Sequence, residues 1–378
     1  MKITIIGPAY PYRGGIALFS DRLAESLFKA GHEVNIITFS LQYPGFLFPG
    51  KTQFSTDKNI HHIPTVRTIN SINPFNWIKV GKQLKKAQPD LVIFKYWMPF
   101  MAPCFGTIAK KIRKNKVTKI IAVVHNLMPH ERHTGDCFLS KYFMKYMDGF
   151  IAMSESVLHD LSSFDRNKPK VFSPHPLYDN FGIKKSKEEA LKSLGLDTSC
   201  YYMLFFGIIR KYKGLDLLLE AFADKRLNNG KIKLIVAGEF YEDNASYLEL
   251  IRKNKLQDAI ILVNHFIPDT EVVNYFCAAD IVVQPYKHAT QSGVTQIAYH
   301  FDKPMLVTDV GGLKEIVPHQ KAGYVVQPDA TEITAALADF YENNREEEFV
   351  RGVISEKNKY SWENMVDTIN TLYKDVQK

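Results

Sequence analysis

The stretch KITIIGPAYPYRGGIALFSDRLAESLFKAGHEVNIITF, residues 2–39, decides the fold. Ile3–Ile6 is a largely apolar run of the kind that fills a strand buried on both faces, and Val34–Phe39 is a second. Between them Leu18, Leu23, Leu27 and Phe28 recur near the helical period, and Gly31 supplies a stop signal. This is a β–α–β unit, and Gly14 and Gly15 lie where its first strand hands over to its helix. In such sheets the ligand crevice lies outside the carboxyl ends of the strands. Glycine there lets the main chain approach a bulky polar group, and a helix amino-terminus favours an anion. The segment is not a dinucleotide fingerprint, because Pro8-Ala9-Tyr10-Pro11 follows Gly7 where further glycines would stand. It is not a P-loop either, since no Gly-Lys-Ser/Thr follows the strand. A plain turn without a ligand would carry the same two glycines, so the stretch fixes the fold unit and only suggests an anion.

A chain of 378 residues is long enough for two domains. Its 46% hydrophobic and 23% charged content is that of a soluble globular protein. Cys104, Cys137, Cys200 and Cys277 are scattered without metal spacing, which fits a reducing compartment and ordinary packing. Met1-Lys2 leads straight into a strand, so no secretory signal is expected. The most apolar stretch, LVIFKYWMPFMAPCF (91–105), is broken by Lys95, Pro99 and Pro103 and is too short to span a bilayer. A cytoplasmic protein, soluble or peripheral on the inner face of the plasma membrane, is expected. Charge is uneven: residues 1–180 hold 24 Lys and Arg against 12 Asp and Glu, while the remainder holds 24 against 28. The basic excess concentrates in KKIRKNKVTK (110–119). No recognition motif accompanies it, so nucleic acid is not expected as a partner. An anionic membrane surface or a phosphate-bearing acceptor fits better, and a solvated helix end explains the run equally well.

Buried-strand runs recur at 90–96, 119–125 and 148–154, separated by amphipathic segments at 75–88, 104–115 and 138–147. The segment SPHPLYDNFGIKKSKEEALKSLGLDTSC (173–200) breaks the rhythm and reads as a connection between domains. Alternation then restarts, with strands at 201–207, 231–238, 258–266, 280–286 and 303–310 and helices at 214–226, 244–255, 269–278 and 293–301. The expected fold is α/β: two doubly wound, Rossmann-like domains whose parallel sheets face a central cleft. Residues 1–180 are expected to form an N-terminal domain and 195–355 a C-terminal one; the resemblance described below makes the first the acceptor-binding and the second the nucleotide-sugar-binding domain. Residues 356–378 form a last helix packing back toward the first domain.

Two segments of the second half carry anion chemistry. In FFGIIRKYKGLDLLLEAF (205–222), Arg210, Lys211 and Lys213 crowd the loop before a helix opened by Gly214. Cations beside a helix amino-terminus oppose the macrodipole unless an anion, such as a diphosphate, binds between them. In HATQSGVTQIAYHFDKPMLVTDVGGLKEIV (288–317), Thr290, Gln291, Ser292 and Gly293 precede a helix whose first turn offers backbone N–H groups. Asp309-Val310-Gly311-Gly312 then ends the next strand in another close-approach loop. Together these describe a nucleotide-diphosphate site; three ordinary β–α turns are the rival reading.

These residues, with VVHNLMPHE (123–131), AADIVVQPY (278–286) and the closing SWENM (361–365), resemble the retaining glycosyltransferases of the GT-B fold, bacterial group 1 or family 4 type. The resemblance spans almost the whole chain. It implies a hexosyltransferase-type enzyme taking a UDP- or GDP-sugar as substrate, with no cofactor and no metal. The acceptor would be a glycan or a lipid-linked sugar in cell-surface polysaccharide or glycolipid biosynthesis. Gly14 and Gly15 match the loop that closes over the donor phosphates, and Lys213 matches the phosphate lysine. The family arginine usually follows the strand-ending glycine, Gly207, directly; Ile208 stands there and Arg210 is shifted by two. His125 matches a histidine that contacts the transferred sugar. Gln291, Ser292, Gly293, Val294, Thr295 and Gln296 fall on the donor-binding helix start, and His130 and Glu131 on the acceptor side. Ala289 and Ile297 stand where the family usually carries two glutamates, for the sugar and for the ribose; Gln296, and Thr290 or Gln291, are the residues that would replace them. In such enzymes the acceptor attacks from the side of the departing diphosphate, which takes the proton. Two other readings share the features: a non-catalytic nucleotide-sugar-binding protein, favoured by the absent glutamates, and a GT-B sugar-nucleotide epimerase, which would need paired carboxylates. The aromatics of YPGFLFPG (43–50) and YWMPFMAPCF (96–105) suggest docking on a membrane that presents a lipid-linked sugar; core packing or a dimer face explains the same residues equally well.

Overall fold

The structure, a computed structural model, describes residues 1–45, 52–55, 63–127, 134–289 and 292–378. The chain divides into two compact units, Met1–Pro176 with Ser361–Lys378, and Leu177–Tyr360.

The first unit is a seven-stranded sheet in the order β3-β2-β1-β4-β5-β6-β7. In chain order its elements are β1 (Lys2–Ile6), α1 (Gly15–Lys29), β2 (Glu33–Leu41), β3 (Thr65–Asn70), α2 (Pro74–Ala87) and β4 (Leu91–Tyr96). They continue with α3 (Ala102–Ile112), β5 (Lys119–Val124), α4 (Asp136–Met144), β6 (Gly149–Ala152), α5 (Glu155–Phe164) and β7 (Lys170–Phe172). Every strand pair is parallel. The central strands β1, β4 and β5 are apolar because both faces are covered by helices, so no alternation of polar residues survives. β3, at the edge, is the exception, with Val66 and Arg67 exposed. Helix α2 starts on Asn73, whose side chain accepts from the N–H groups of Phe75 and Asn76, with Pro74 at its first position.

The second unit is a six-stranded parallel sheet in the order β10-β9-β8-β11-β12-β13. It comprises α6 (Lys187–Leu194), β8 (Tyr201–Phe206), α7 (Leu215–Phe222), β9 (Ile232–Ala237), α8 (Ala245–Lys253), β10 (Ile260–Val263) and α9 (Asp269–Ala278). Then come β11 (Ile281–Gln284), α10 (Gly293–His300), β12 (Met305–Thr308), α11 (Leu313–Ile316), β13 (Gly323–Val326), α12 (Ala330–Glu342) and α13 (Glu346–Lys357). Helix α6 carries a full capping box between Ser186 and Glu189 and ends on Gly195 at φ 66°. The last helix, α14 (Trp362–Gln377), belongs to the first unit and packs on α1, β5, β6 and β7. A Cβ on Gly149 would lie 3.0 Å from Leu372 and Val376, so the close seat of α14 on β6 requires glycine there.

In each sheet the strand order reverses at one place, between β1 and β4 and between β8 and β11. Ligands in open α/β sheets bind outside the carboxyl ends of the strands at such a point. Two expectations fail. Phe28 is 58% exposed, and Phe19 occupies the buried face of α1 in its place. The aromatics of 96–105 are not membrane anchors: Tyr96, Pro99, Met101, Cys104 and Phe105 are buried, and Trp97, Met98 and Phe100 pack against the same core. Trp97 Nε1 donates to the Tyr43 hydroxyl at 2.9 Å, tying the preceding loop down as well. Aromatic content marked core here, because the loop after β4 turns straight back under α3. Residues 46–50 of the other aromatic stretch lie outside the described residues. No helix among the described residues is long and apolar enough to cross a membrane.

Candidate active site

In the first unit the chain leaves β1 through Gly7, where a Cβ would come within 2.7 Å of Lys95 Cβ on β4. The loop that follows is held by side chains: Ala9 N–H donates to Thr38 Oγ1 and Tyr10 N–H to Asp21 Oδ2. Gly14 sits at φ 105°, ψ 164°, a conformation open essentially to glycine alone, and Gly15 opens α1. Among the described residues no side chain caps this helix, and no acid stands in its first turn. Nothing lies within 4 Å of a Cβ built on Gly14, so backbone geometry and not crowding demands glycine.

His125 follows β5, its N–H donating to the Tyr96 carbonyl at 2.8 Å. Its ring meets Phe19 edge-on at 5.1 Å, and His175 and Trp362 meet the same ring at 5.0 and 5.1 Å. The ammonium of Lys95 lies 3.2 Å from the centre of that ring. Burial, then the positive charge of Lys95, then His175, holds His125 well below the ordinary imidazole range. His175 is pushed down to about 4, mainly by burial, although its Nδ1 donates to the Pro176 carbonyl at 2.7 Å. Both imidazoles are therefore neutral near pH 7 and act as hydrogen-bonding groups rather than cations. His130 and Glu131 lie outside the described residues.

In the second unit β8 ends at Gly207, at φ 99°. A Cβ there would stand 3.2 Å from Lys213 Nζ and 3.7 Å from Val294. Lys213 closes a short 3-10 turn (Lys211–Lys213) and is only 8% exposed. Burial lowers its pKa, and the Arg210 guanidinium adds to the effect. It forms no ion pair among the described residues; its ammonium faces the Tyr286 ring at 5.5 Å. Arg210 opens the same turn and lies 5.3 Å over Tyr241. Gly214 follows at φ 69°, and a Cβ there would collide with the Pro285 carbonyl at 1.9 Å. The chain of β11 is thus pressed against the cationic turn.

Helix α10 opens beside it. Ser292 caps the helix by accepting from Val294 N–H at 3.2 Å, so that amide is already satisfied. The Ser292 hydroxyl donates in turn to Gln284 Oε1, and Tyr286 stands 3.3 Å away. Thr295 Oγ1 is engaged by the Ser292 carbonyl at 2.6 Å, which leaves it a structural role. Gly293 sits against Tyr178, 2.8 Å from where its Cβ would be. Gln296 is 0% exposed, and neither its amide oxygen nor its amide nitrogen has a hydrogen-bond partner. Buried amides are normally satisfied, so this one, on the helix that follows β11, is a group that a ligand could pair. Ala289 and Ile297 are both buried. Thr290 and Gln291 lie outside the described residues.

The structure thus places Gly207, Arg210, Lys213, Ser292, Gly293, Val294, Thr295 and Gln296 in the segments that follow the central strands β8 and β11, and Gly14, Gly15 and His125 within the first unit. Reasoning from the sequence missed Lys95, His175 and Tyr286. A lone lysine inside the strand DLVIFKY was the available signal for Lys95.

The Glycosyltransferase Family 4 model matches residues 13–176, and that of glycosyl transferases group 1 matches residues 186–352. An uncharacterized glycosyltransferase of Methanocaldococcus jannaschii is 26% identical, over 99% of this chain and 98% of its own. N-acetyl-alpha-D-glucosaminyl L-malate synthase of Bacillus anthracis is 21% identical, over 100% of this chain and 98% of its own. Among solved structures, Anabaena HepE in complex with UDP shares the fold at a TM-score of 0.77 and 14% identity, over 99% of this chain and 100% of its own. Matched in one unit by the first family and in the other by the second, the chain belongs to the glycosyltransferases of group 1, family 4 type, with the GT-B fold.

Proposed function

We propose that the protein is a retaining, metal-independent transferase that moves a hexosyl group from a UDP- or GDP-sugar to a glycan or lipid-linked acceptor. The observation that carries this reading is the buried Lys213 ammonium beside Gly207, which forms no ion pair among the described residues, together with the buried amide of Gln296, which has no hydrogen-bond partner among them. Lys213 and Arg210 would hold the diphosphate and stabilise its charge as it leaves. Gln296 would bond the ribose in place of a glutamate, and Gly14 and Gly15 would offer main-chain N–H groups to the phosphates. A neutral His125 would accept from or donate to the transferred sugar without adding a cation. In the step itself, the acceptor oxygen bonds to the anomeric carbon as the bond to the diphosphate oxygen breaks. The proton of the acceptor hydroxyl passes to the departing diphosphate, so no side chain need act as base. Charge stabilisation and orientation are then the protein's contribution. UDP bound to the Anabaena structure supports a nucleotide donor. Donor hydrolysis across several UDP- and GDP-sugars, with the anomer read by NMR and with EDTA added, tests it. Turnover with retention and no loss in EDTA is expected; inversion or a strict magnesium requirement refutes the mechanism. Tight binding without turnover of any donor would favour the non-catalytic reading, for which Ala289 and Ile297 speak.

For the place of action we infer an anionic membrane surface. Helix α2 carries Lys79, Lys82, Lys85 and Lys86 exposed beside Phe75, which is 84% exposed, and no acid stands between Ser71 and Pro89. Helix α3 packs against it and runs into exposed Lys110, Arg113, Lys114 and Lys116. Each cation near an anionic bilayer is worth about 1 kcal/mol, and the apolar residues add insertion. Sedimentation with vesicles of anionic lipid should carry the protein down and lose it in high salt; equal binding to neutral vesicles refutes the inference.

A further inference from the structure

Lys95 is the one charged residue of β4, a strand in which all six residues are buried. Its side chain is 0% exposed. Its Nζ has no hydrogen-bond partner, and among the described residues it forms no ion pair. The face of the Phe19 ring lies against the ammonium, at 3.2 Å. The remaining neighbours of that ring are the imidazoles of His125 and His175 and the indole of Trp362, which itself lies under the Arg22 guanidinium at 5.5 Å. Of the two acids on the same helix, Asp21 accepts the Tyr10 N–H and Glu25 pairs with Arg22. This cluster therefore holds bases and rings from α1, β4, α14 and the loops after β5 and β7, with no carboxylate paired to the lysine.

An enclosed ammonium facing a ring recovers only part of its lost hydration. A methionine would fill the same space without that cost, so packing does not explain a lysine here. Position does. β4 adjoins β1 where the strand order reverses, and Lys95 lies beside Gly7 as the chain leaves β1. That is the crevice in which this class of sheet receives a ligand. The missing element is a negative charge.

We propose that Lys95 recognises the acceptor through an anionic oxygen group, a carboxylate or a phosphate, which completes the ion pair that the protein leaves open. The anion takes the place now held by the Phe19 face, so binding turns Phe19 aside and brings the charge next to His125. The proposal rests on the transferase reading, and deepens it by giving the acceptor a charge.

The test uses full-length protein labelled with 13C and 15N in its lysines, with the Lys95 signal assigned as the one lost in Lys95→Met. UDP is added first to occupy the cationic turn of the second unit; malonate and inorganic phosphate are then titrated separately. The Lys95 signal should titrate below the other lysines in the free protein and move up by about one pH unit or more with the preferred anion. The same anion should raise the melting temperature of the wild type but not of Lys95→Met or Lys95→Gln, while UDP raises all three. Response to malonate alone identifies a carboxylate acceptor, and to phosphate alone a phosphorylated one. A Lys95 signal that ignores both anions, or that moves with UDP alone, overturns the proposal. So does equal anion stabilisation of the two variants. Failure of UDP to bind any of the proteins would instead overturn the transferase reading, leaving the anion arms to be read on their own signal.

Discussion

Replacing Lys213 by methionine removes a cation that is 8% exposed and has no ion-pair partner among the described residues. No carboxylate is orphaned by the change, and a methionine of similar length fills the space, so the fold is expected to keep or slightly raise its stability. The loss falls on the ligand. A hydrogen bond between charged groups is worth about 1.5–3 kcal/mol, so UDP affinity should fall roughly ten- to a hundredfold. If the ammonium also steadies charge that develops on the departing diphosphate, turnover at saturating donor should drop by roughly a hundred- to a thousandfold. Calorimetric titration with UDP, turnover and chemical unfolding on one preparation separate these effects. The pH dependence gives an independent check. Burial and Arg210 lower the lysine's pKa, so raising the pH should discharge it early and weaken UDP on the alkaline side. Diphosphate binding raises that pKa again, and is accompanied by proton uptake there. Lys213→Arg should keep its charge at every pH and abolish the alkaline fall, although its planar group fits poorly beside Gly207. A folded Lys213→Met protein that binds UDP within about threefold of the wild type would refute the assignment.

Gln296→Leu removes two unpaired buried atoms, so the unliganded protein should gain about 1–3 kcal/mol on unfolding while its affinity for UDP falls; reduced stability with unchanged UDP binding would contradict the role given to the amide. His175, held to about 4, is buried neutral, so its contribution to stability is complete above pH 6.5 and is lost as the pH falls toward 4, about 3 kcal/mol in all. His175→Phe should flatten that part of the stability profile measured by urea unfolding, and an unchanged slope would count against it. Gly214→Ala places a methyl 1.9 Å from the Pro285 carbonyl at a positive φ and should cost upward of about 2 kcal/mol, read as a lower melting temperature. Gly14→Ala, with open space around the same atom but φ at 105°, should cost about 1–3 kcal/mol through backbone strain alone, less than Gly214→Ala where a clash adds to the strain, and should raise the KM for donor; equal losses of melting temperature in the two would refute the distinction.

The central strands were legible because burial on both faces writes an unmistakable apolar run, as at Ile3–Ile6 and Leu91–Tyr96. Helix α9 was read to the residue, because acids open it and a strand follows at once. Of the edge strands β10 was read, but β3, with two of its six residues exposed, and β7, three residues long, were not. Short β13 and the last helices of the second unit also escaped, since four residues of GYVV carry too little periodicity to separate from a turn. In the site, glycines and cations announce themselves by type and spacing, which is why the turn at Gly207–Gly214 was visible. What a side chain faces is not written locally. Gln296 reads as one polar residue on a helix, and Lys95 as one interruption in a strand; their missing partners appear only once distant strands are side by side. The aromatic run after β4 misled for the same reason, since a ring bound for the core and one bound for lipid are spelled alike.

The chain leaves its first unit at Pro176 and re-enters it at Ser361. During synthesis the sheet of that unit emerges first, yet the flank later covered by α14 stays bare until the whole of the second unit has left the ribosome. Leu177–Tyr360, by contrast, is contiguous and acquires all its parts in one passage. The unit that begins first is therefore the one completed last, and a chain released prematurely near residue 360 would expose the seat of Leu372 on Gly149 as a sticky apolar face.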